Sequence, residues 1–165
     1  MSWIDELSEA WQREHPDYDT ATLPPMVRLA RLALLIDGFQ HDVLAPYRLS
    51  AGDYGVLAAL RRAGAPYQLR PSMLYSRLQR SSGGMTKTLG RLEERGLVAR
   101  TPDSLDRRGS LVSLTRKGRA LQEEVFRAYL EATEDLLEPF SETQLKDTDR
   151  VLEALLALFE GRAAS

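Results

Sequence analysis

The chain has 165 residues, 43% hydrophobic and 28% charged, with a formal net charge of −2 and no cysteine. That length and balance fit one globular domain with a proper core, and the missing cysteines exclude disulfides, thiolate nucleophiles and Cys-ligated zinc. No apolar run reaches the roughly 18 residues of a membrane span, and MSWIDELSEAW lacks the basic-then-apolar pattern of a secretion signal, so the chain is expected in the cytoplasm.

Ser2 followed by Asp5 is an acidic variant of the capping box, and Trp3, Leu7 and Trp11 recur every four residues. This predicts a short N-terminal helix with an aromatic stripe, ended by the turn-forming HPDYD. Helical spacing resumes from Pro25, and the run Val27 to Ile36 carries Leu29, Leu32, Leu34, Leu35 and Ile36 around much of its circumference. Such a helix needs more than one surface to pack against, and in a chain this small a second subunit is expected to supply one.

After LAPYRLS breaks the pattern, Ser50 with Asp53 caps a helix whose Tyr54, Leu57 and Leu60 face the core, and Gly64 before Pro66 ends it. Pro71 suits the first position of the next helix, lined by Leu74 and Leu78. Ser81 or Ser82 caps another, with Met85, Leu89 and Leu92 at helical spacing and Gly96 at its end. Leu97 to Thr101 and Ser110 to Thr115 alternate like strands around PDSLDRRG, with Leu111, Val112 and Leu114 leaving the buried face open. Thr115 caps a long helix bearing Leu121, Val125, Tyr129, Leu136 and Leu137, which Pro139 ends. Ser141 with Gln144 caps the last, marked by Leu145, Leu152, Leu155, Leu156 and Phe159.

The expected fold class is mainly α with a small β wing: a winged helix-turn-helix embedded in a helical dimerisation domain. Residues 1–23 form an extra N-terminal helix and turn, and 24–165 the main domain. Within it the winged helix-turn-helix covers about 50–115, and dimerisation helices about 24–47 and 116–161.

Charge is sorted along this order. From Arg70 to Arg119 there are twelve Arg or Lys against four Asp or Glu, a surplus of +8, while the rest holds 10 basic and 20 acidic residues, or −10. A basic module in an acidic frame is expected to meet a polyanion with one surface. A helix reads the major groove when its outward side chains reach base edges and its start lies near phosphate. In SSGGMTKTLGRLEERG, burying Met85, Leu89 and Leu92 leaves Ser82, Gly83, Thr86, Lys87, Gly90 and Arg91 outward. Glycine costs about 1 kcal/mol inside a helix, less near its start, and lets the backbone approach DNA. Lys87 and Arg91 share one side and can take a phosphate or a guanine edge.

The loop from Pro102 to Gly109 places Asp106, Arg107 and Arg108 at a hairpin tip, where an Arg can enter a narrow A·T-rich minor groove. Asp106 is suited to holding a guanidinium in position. A solvated basic face and a polar turn with a surface ion pair would explain either feature alone, but not both in this order. His15 and His41 are isolated and read as helix-end or surface residues. With no phosphate loop and no nucleophile–base constellation to infer, an enzyme, a metal site and a cofactor are not expected.

These residues resemble the MarR family of bacterial transcriptional regulators: a helix opening with Leu-x-Pro-Ser at Leu69, then SSGGMTKTLGRLEERGLV, then DSLDRRGSLVSLTRKGRAL. The match in element order runs from Pro25 to Phe159. The resemblance implies a homodimer that reads a pseudo-palindromic double-stranded DNA operator, with Ser82, Thr86, Lys87 and Arg91 toward the major groove. Arg108, ordered by Asp106, would reach the minor groove. Arg70 stands where the family usually has a Thr or Ser cap and is expected to substitute a phosphate contact.

The extra helix with Trp11, followed by HPDYD, resembles the PecS-like branch, which includes urate-responsive repressors. There the Trp works with an Asp on the second core helix and an Arg on the recognition helix to hold an anionic aromatic ligand. This chain keeps Trp11 but has Gly55 and Thr88 at the two partner positions, which removes the cation that a urate-like anion needs. Trp11 is read equally as a ligand contact and as a plain packing anchor, and Arg28, Asp53 and Tyr54 are the candidates to line, with Trp11, a different pocket. The expectation is a DNA-binding repressor released by a small-molecule effector. The alternative is a winged-helix protein–protein interaction module that never touches DNA.

Overall fold

The computed structural model describes residues 3–78, 82–103 and 109–163. The elements run α1 (Trp3–Glu14), α2 (Leu23–Leu44), a 3-10 turn (Ala45–Tyr47), α3 (Ala51–Arg62), β1 (Gln68–Leu69), α4 (Pro71–Leu78), α5 (Ser82–Glu94), β2 (Val98–Pro102), β3 (Ser110–Leu114), α6 (Arg116–Leu137) and α7 (Glu142–Ala163). The chain divides into two compact units, Met1–Val125 and Phe126–Ser165, with the boundary inside α6.

In the first unit the core gathers Leu44, Val56, Leu57 and Leu60 with Leu74, Met85, Leu89 and Leu92, and is closed by Leu97, Val112 and Val125. The antiparallel sheet has the order β1-β3-β2, with Leu69 opposite Val112 and Arg100 opposite Val112 from the other side. Val112 and Leu114 therefore settle the question of the buried face of β3, both lying in the core. Two elements are additions to the expected order. β1 has only two residues and no periodicity, so its pairing with a strand more than forty residues away is invisible locally. The 3-10 turn fills the stretch that breaks the helical pattern.

Local chemistry explains most ends. Ser50 Oγ accepts the Asp53 N–H at 3.1 Å while the Asp53 carboxylate accepts the Ser50 N–H at 3.0 Å, a complete capping box. α2 begins at Leu23, two residues before the expected Pro25, because prolines in a first helical turn lack only amides that have no intrahelical partner anyway. At Gly96, φ is +67°, and the Gly96 and Leu97 amides return to the carbonyls of Glu93 and Leu92 at 2.8 and 2.9 Å. This is the paired bonding of a Schellman ending. In α1 the buried residue is Ile4, whereas Trp3 and Trp11 are about half exposed, so an aliphatic side chain and not the aromatic stripe anchors that helix.

The start of α6 approaches β2 closely. Thr115 Oγ1 accepts the Gly118 N–H at 2.9 Å, capping the helix as expected, and donates to the Gly96 carbonyl at 2.8 Å. A Cβ added at Gly118 would lie 1.9 Å from the Leu97 carbonyl oxygen, so no other residue fits there without movement. In the second unit, the Gln144 N–H reaches Ser141 Oγ at 3.3 Å and the Ser141 N–H reaches Gln144 Oε1 at 2.9 Å, the expected cap of α7. No described helix is long and apolar enough to cross a membrane.

Candidate nucleic-acid interface

α5 is held from behind and at its end. Met85, Leu89 and Leu92 are fully buried, and Thr88 joins them at 2% exposure. Arg95, just past the helix, donates to the carbonyls of Arg48 and Tyr47 at 2.6 and 3.0 Å, and Lys117 Nζ donates back to the Arg95 carbonyl at 2.8 Å. Arg100 of β2 pairs with Glu93 at 2.9 Å. The C-terminal end of α5 is thus clamped to the 3-10 turn, the sheet and α6, leaving its first turns to face outward.

The outward face carries Gly83, Thr86, Lys87 and Arg91, with Gly90 partly covered. A Cβ at Gly83 or Gly90 would meet nothing within 4 Å, so packing inside the protein does not require either glycine. Each costs helix stability, and what their missing side chains open is access from outside. Lys87 makes no ion pair among the described residues. α5 starts at Ser82, whose side chain, like Asp106, Arg107 and Arg108, lies outside the described residues.

Two of the expected DNA-facing arginines have partners within the fold. Arg91 Nη2 meets Asp53 Oδ1 at 2.7 Å, with the Arg side chain 52% exposed and the Asp side chain 6%. Burial pushes the Asp53 carboxyl up, but the hydrogen bonds donated by Ser50 and Arg91, together with the Arg91 charge, outweigh it and hold the carboxyl below its ordinary value. One carboxylate therefore caps α3 and tethers α5. Arg70 Nε meets Asp103 Oδ2 at 2.7 Å, where the carboxylate is 3% exposed. Sequence reading missed both pairs, because they join residues 38 and 33 positions apart with no shared periodicity.

The ligand candidates are distributed over three helices. Trp11 on α1 stacks on His15, with ring centroids 5.4 Å apart. Arg28 on α2 pairs with Asp5 on α1. Asp53 and Tyr54 follow one another on α3, the first engaged as above and the second half-buried against the core. Of the positions where the resemblance places a carboxylate and a cation, Gly55 faces Leu78 and Thr88 is in the core. A carboxylate and a guanidinium do bridge these two helices, but from Asp53, two residues before Gly55, and from Arg91, three residues beyond Thr88.

Comparison with known proteins places this geometry. The MarR family profile matches residues 49–109. The HTH-type transcriptional regulator PecS of Dickeya dadantii (strain 3937) is 37% identical over 141 residues, 86% of this chain and 85% of that protein. The multiple antibiotic resistance protein MarR of Escherichia coli (strain K12) is 30% identical over 135 residues, covering 79% and 90%. Among solved structures, a cysteine-to-serine mutant of E. coli MarR complexed with operator DNA superposes with a TM-score of 0.70 at 27% identity, over 80% of this chain and 94% of that one.

Proposed function

Because the chain belongs to the MarR family of DNA-binding transcriptional regulators, a family of regulators and not of enzymes, we propose that it is a cytoplasmic repressor. It binds a pseudo-palindromic operator as a homodimer, and a small-molecule effector releases it. The observation that carries this reading is α5: buried on one side, clamped at its C-terminal end, and presenting Gly83, Thr86 and Lys87 outward. A helix held this way can lie in a major groove without being deformed by the contact. Ser82 would join that face, and Arg107 and Arg108, with Asp106 orienting a guanidinium, would serve the adjacent minor groove.

The homodimer is supported by apolar side chains that each unit leaves uncovered. On α2, Leu32, Leu34, Leu35 and Ile36 are all exposed, Leu34 to 66%, and they point to different sides of one helix. On α7, Val151, Leu152, Leu156, Leu158 and Phe159 are exposed, Leu158 to 66%. Soluble monomers seldom leave so many large apolar side chains in water. The effector would draw on Trp11, Arg28, Asp53 and Tyr54. Asp53 also holds Arg91, so a ligand that engages this carboxylate acts on the recognition helix directly.

A gel-shift titration against the DNA upstream of the chain's own gene, at two salt concentrations, tests the reading. Saturable, sequence-selective binding that weakens steeply with salt is expected, since each neutralised phosphate contributes about −0.9 to the slope of log K against log salt. A flat salt dependence would contradict it.

A further inference from the structure

Arg70 sits where three elements meet. Leu69 before it closes β1 against Val112 of β3, and Pro71 after it opens α4. Its carbonyl accepts the Met73 and Leu74 amides at 3.0 and 3.3 Å, starting that helix. Its side chain turns away from the helix: Nε donates to the buried Asp103 carboxylate, which follows directly on the end of β2. The Asp103 N–H in turn donates to the Gly109 carbonyl at 3.0 Å. The two residues that close the base of the β2–β3 hairpin are thereby linked to the start of α4. A carboxylate this deeply buried needs a cation or several donors, and an Arg fork imposes direction as well as charge.

We infer that Arg70 is a positioning residue for DNA binding: it fixes the hairpin base against α4 and so sets where the hairpin meets a duplex docked on α5, in place of the phosphate contact expected from sequence. This inference rests on the DNA-binding reading above. The two roles give opposite signs for one substitution. If Arg70 were a phosphate contact restrained by Asp103, Asp103→Asn would remove a negative charge near a polyanion and free the guanidinium, and binding would tighten. If Arg70 acts through Asp103, the same change loosens the hairpin base and binding weakens.

The probe is a duplex recovered from a random-sequence pool by the unsubstituted chain, with affinity read by fluorescence anisotropy. Asp103→Asn and Arg70→Gln should each weaken binding about tenfold, the order of one lost groove contact. The double variant should be no weaker than either single one, as for two groups acting as a unit. In the DNA-free protein, both substitutions should speed hydrogen exchange of the amides at Thr101, Asp103 and Leu111 while those of Leu89 and Leu92 keep their protection, separating a loosened hairpin from a failed fold. If Asp103→Asn loses protection in α5 as well, Arg70→Gln decides by the same exchange measurement. Tighter or unchanged binding by a folded Asp103→Asn chain, or unchanged exchange in Arg70→Gln, overturns the inference alone. A chain that enriches no duplex overturns the sequence-selective reading and this inference with it.

Discussion

Replacing Asp53 with Ala removes in one step the acceptor of the Ser50 N–H and hydroxyl bonds, at 3.0 and 2.8 Å, and the partner of Arg91 at 2.7 Å. Losing its half of the capping box costs about 1 kcal/mol, and losing a hydrogen bond to a charged group about 1.5–3 kcal/mol. Because the Arg91 side chain is 52% exposed and regains water when released, the lower end of that range applies. The expected loss is about 2–3 kcal/mol, read as a lower urea midpoint at unchanged slope and fixed protein concentration. The Asp53 carboxyl is held below its ordinary value in the fold, so the stability it contributes is present above the unfolded pKa, near about 3.9, and is lost as pH falls through the folded value. The difference between Asp53→Ala and the unsubstituted chain should therefore shrink below about pH 4. Combined with Arg91→Gln in a double-mutant cycle, the pair should show a coupling of about 1 kcal/mol. A total loss under about 0.5 kcal/mol, or no coupling, would refute the view that this carboxylate holds α5 against α3.

Gly118→Ala places a Cβ 1.9 Å from the Leu97 carbonyl and should cost about 3 kcal/mol of stability by urea unfolding, since backbone must shift. Leu89→Ala empties a position 1% exposed and should cost about 2–5 kcal/mol by the same measurement. Lys87→Ala should weaken operator binding and reduce the salt slope by about 1 if it neutralises a phosphate, or alter base preference if it reads a guanine edge; no change in either would remove it from the interface. Arg108→Ala should cost affinity mainly on operators with A·T-rich flanks, measured against the same core sequence with G·C flanks.

What the sequence disclosed about the fold was chiefly what is decided locally. The caps at Ser50, Thr115 and Ser141 depend on side chains reaching amides three residues away, so composition and spacing announce them. The buried stripe Met85, Leu89 and Leu92 follows from the helical period, and with it the exposure of Gly83, Thr86, Lys87 and Arg91. β1 was not legible because two residues carry no period, and its partner is supplied only by the folded sheet. The aromatic period of α1 was visible but did not say which residue would be covered: Ile4, outside that stripe, is buried. In the candidate interface, charge sorting marked a basic segment but not which charges the fold itself uses. Arg91 and Arg70 look alike in sequence to Lys87, yet each meets a buried carboxylate brought from another element. The distinction rests on long-range packing of Asp53 and Asp103, whose burial no local pattern records.

Hydroxyl-radical footprinting of the chain on its operator tests dimeric, groove-reading recognition most directly. Two protected regions about one helical turn apart, roughly 10–10.5 base pairs centre to centre and symmetric about an inverted repeat, are expected. A single protected patch with no symmetry, or no protection at protein concentrations that saturate the gel shift, would contradict it.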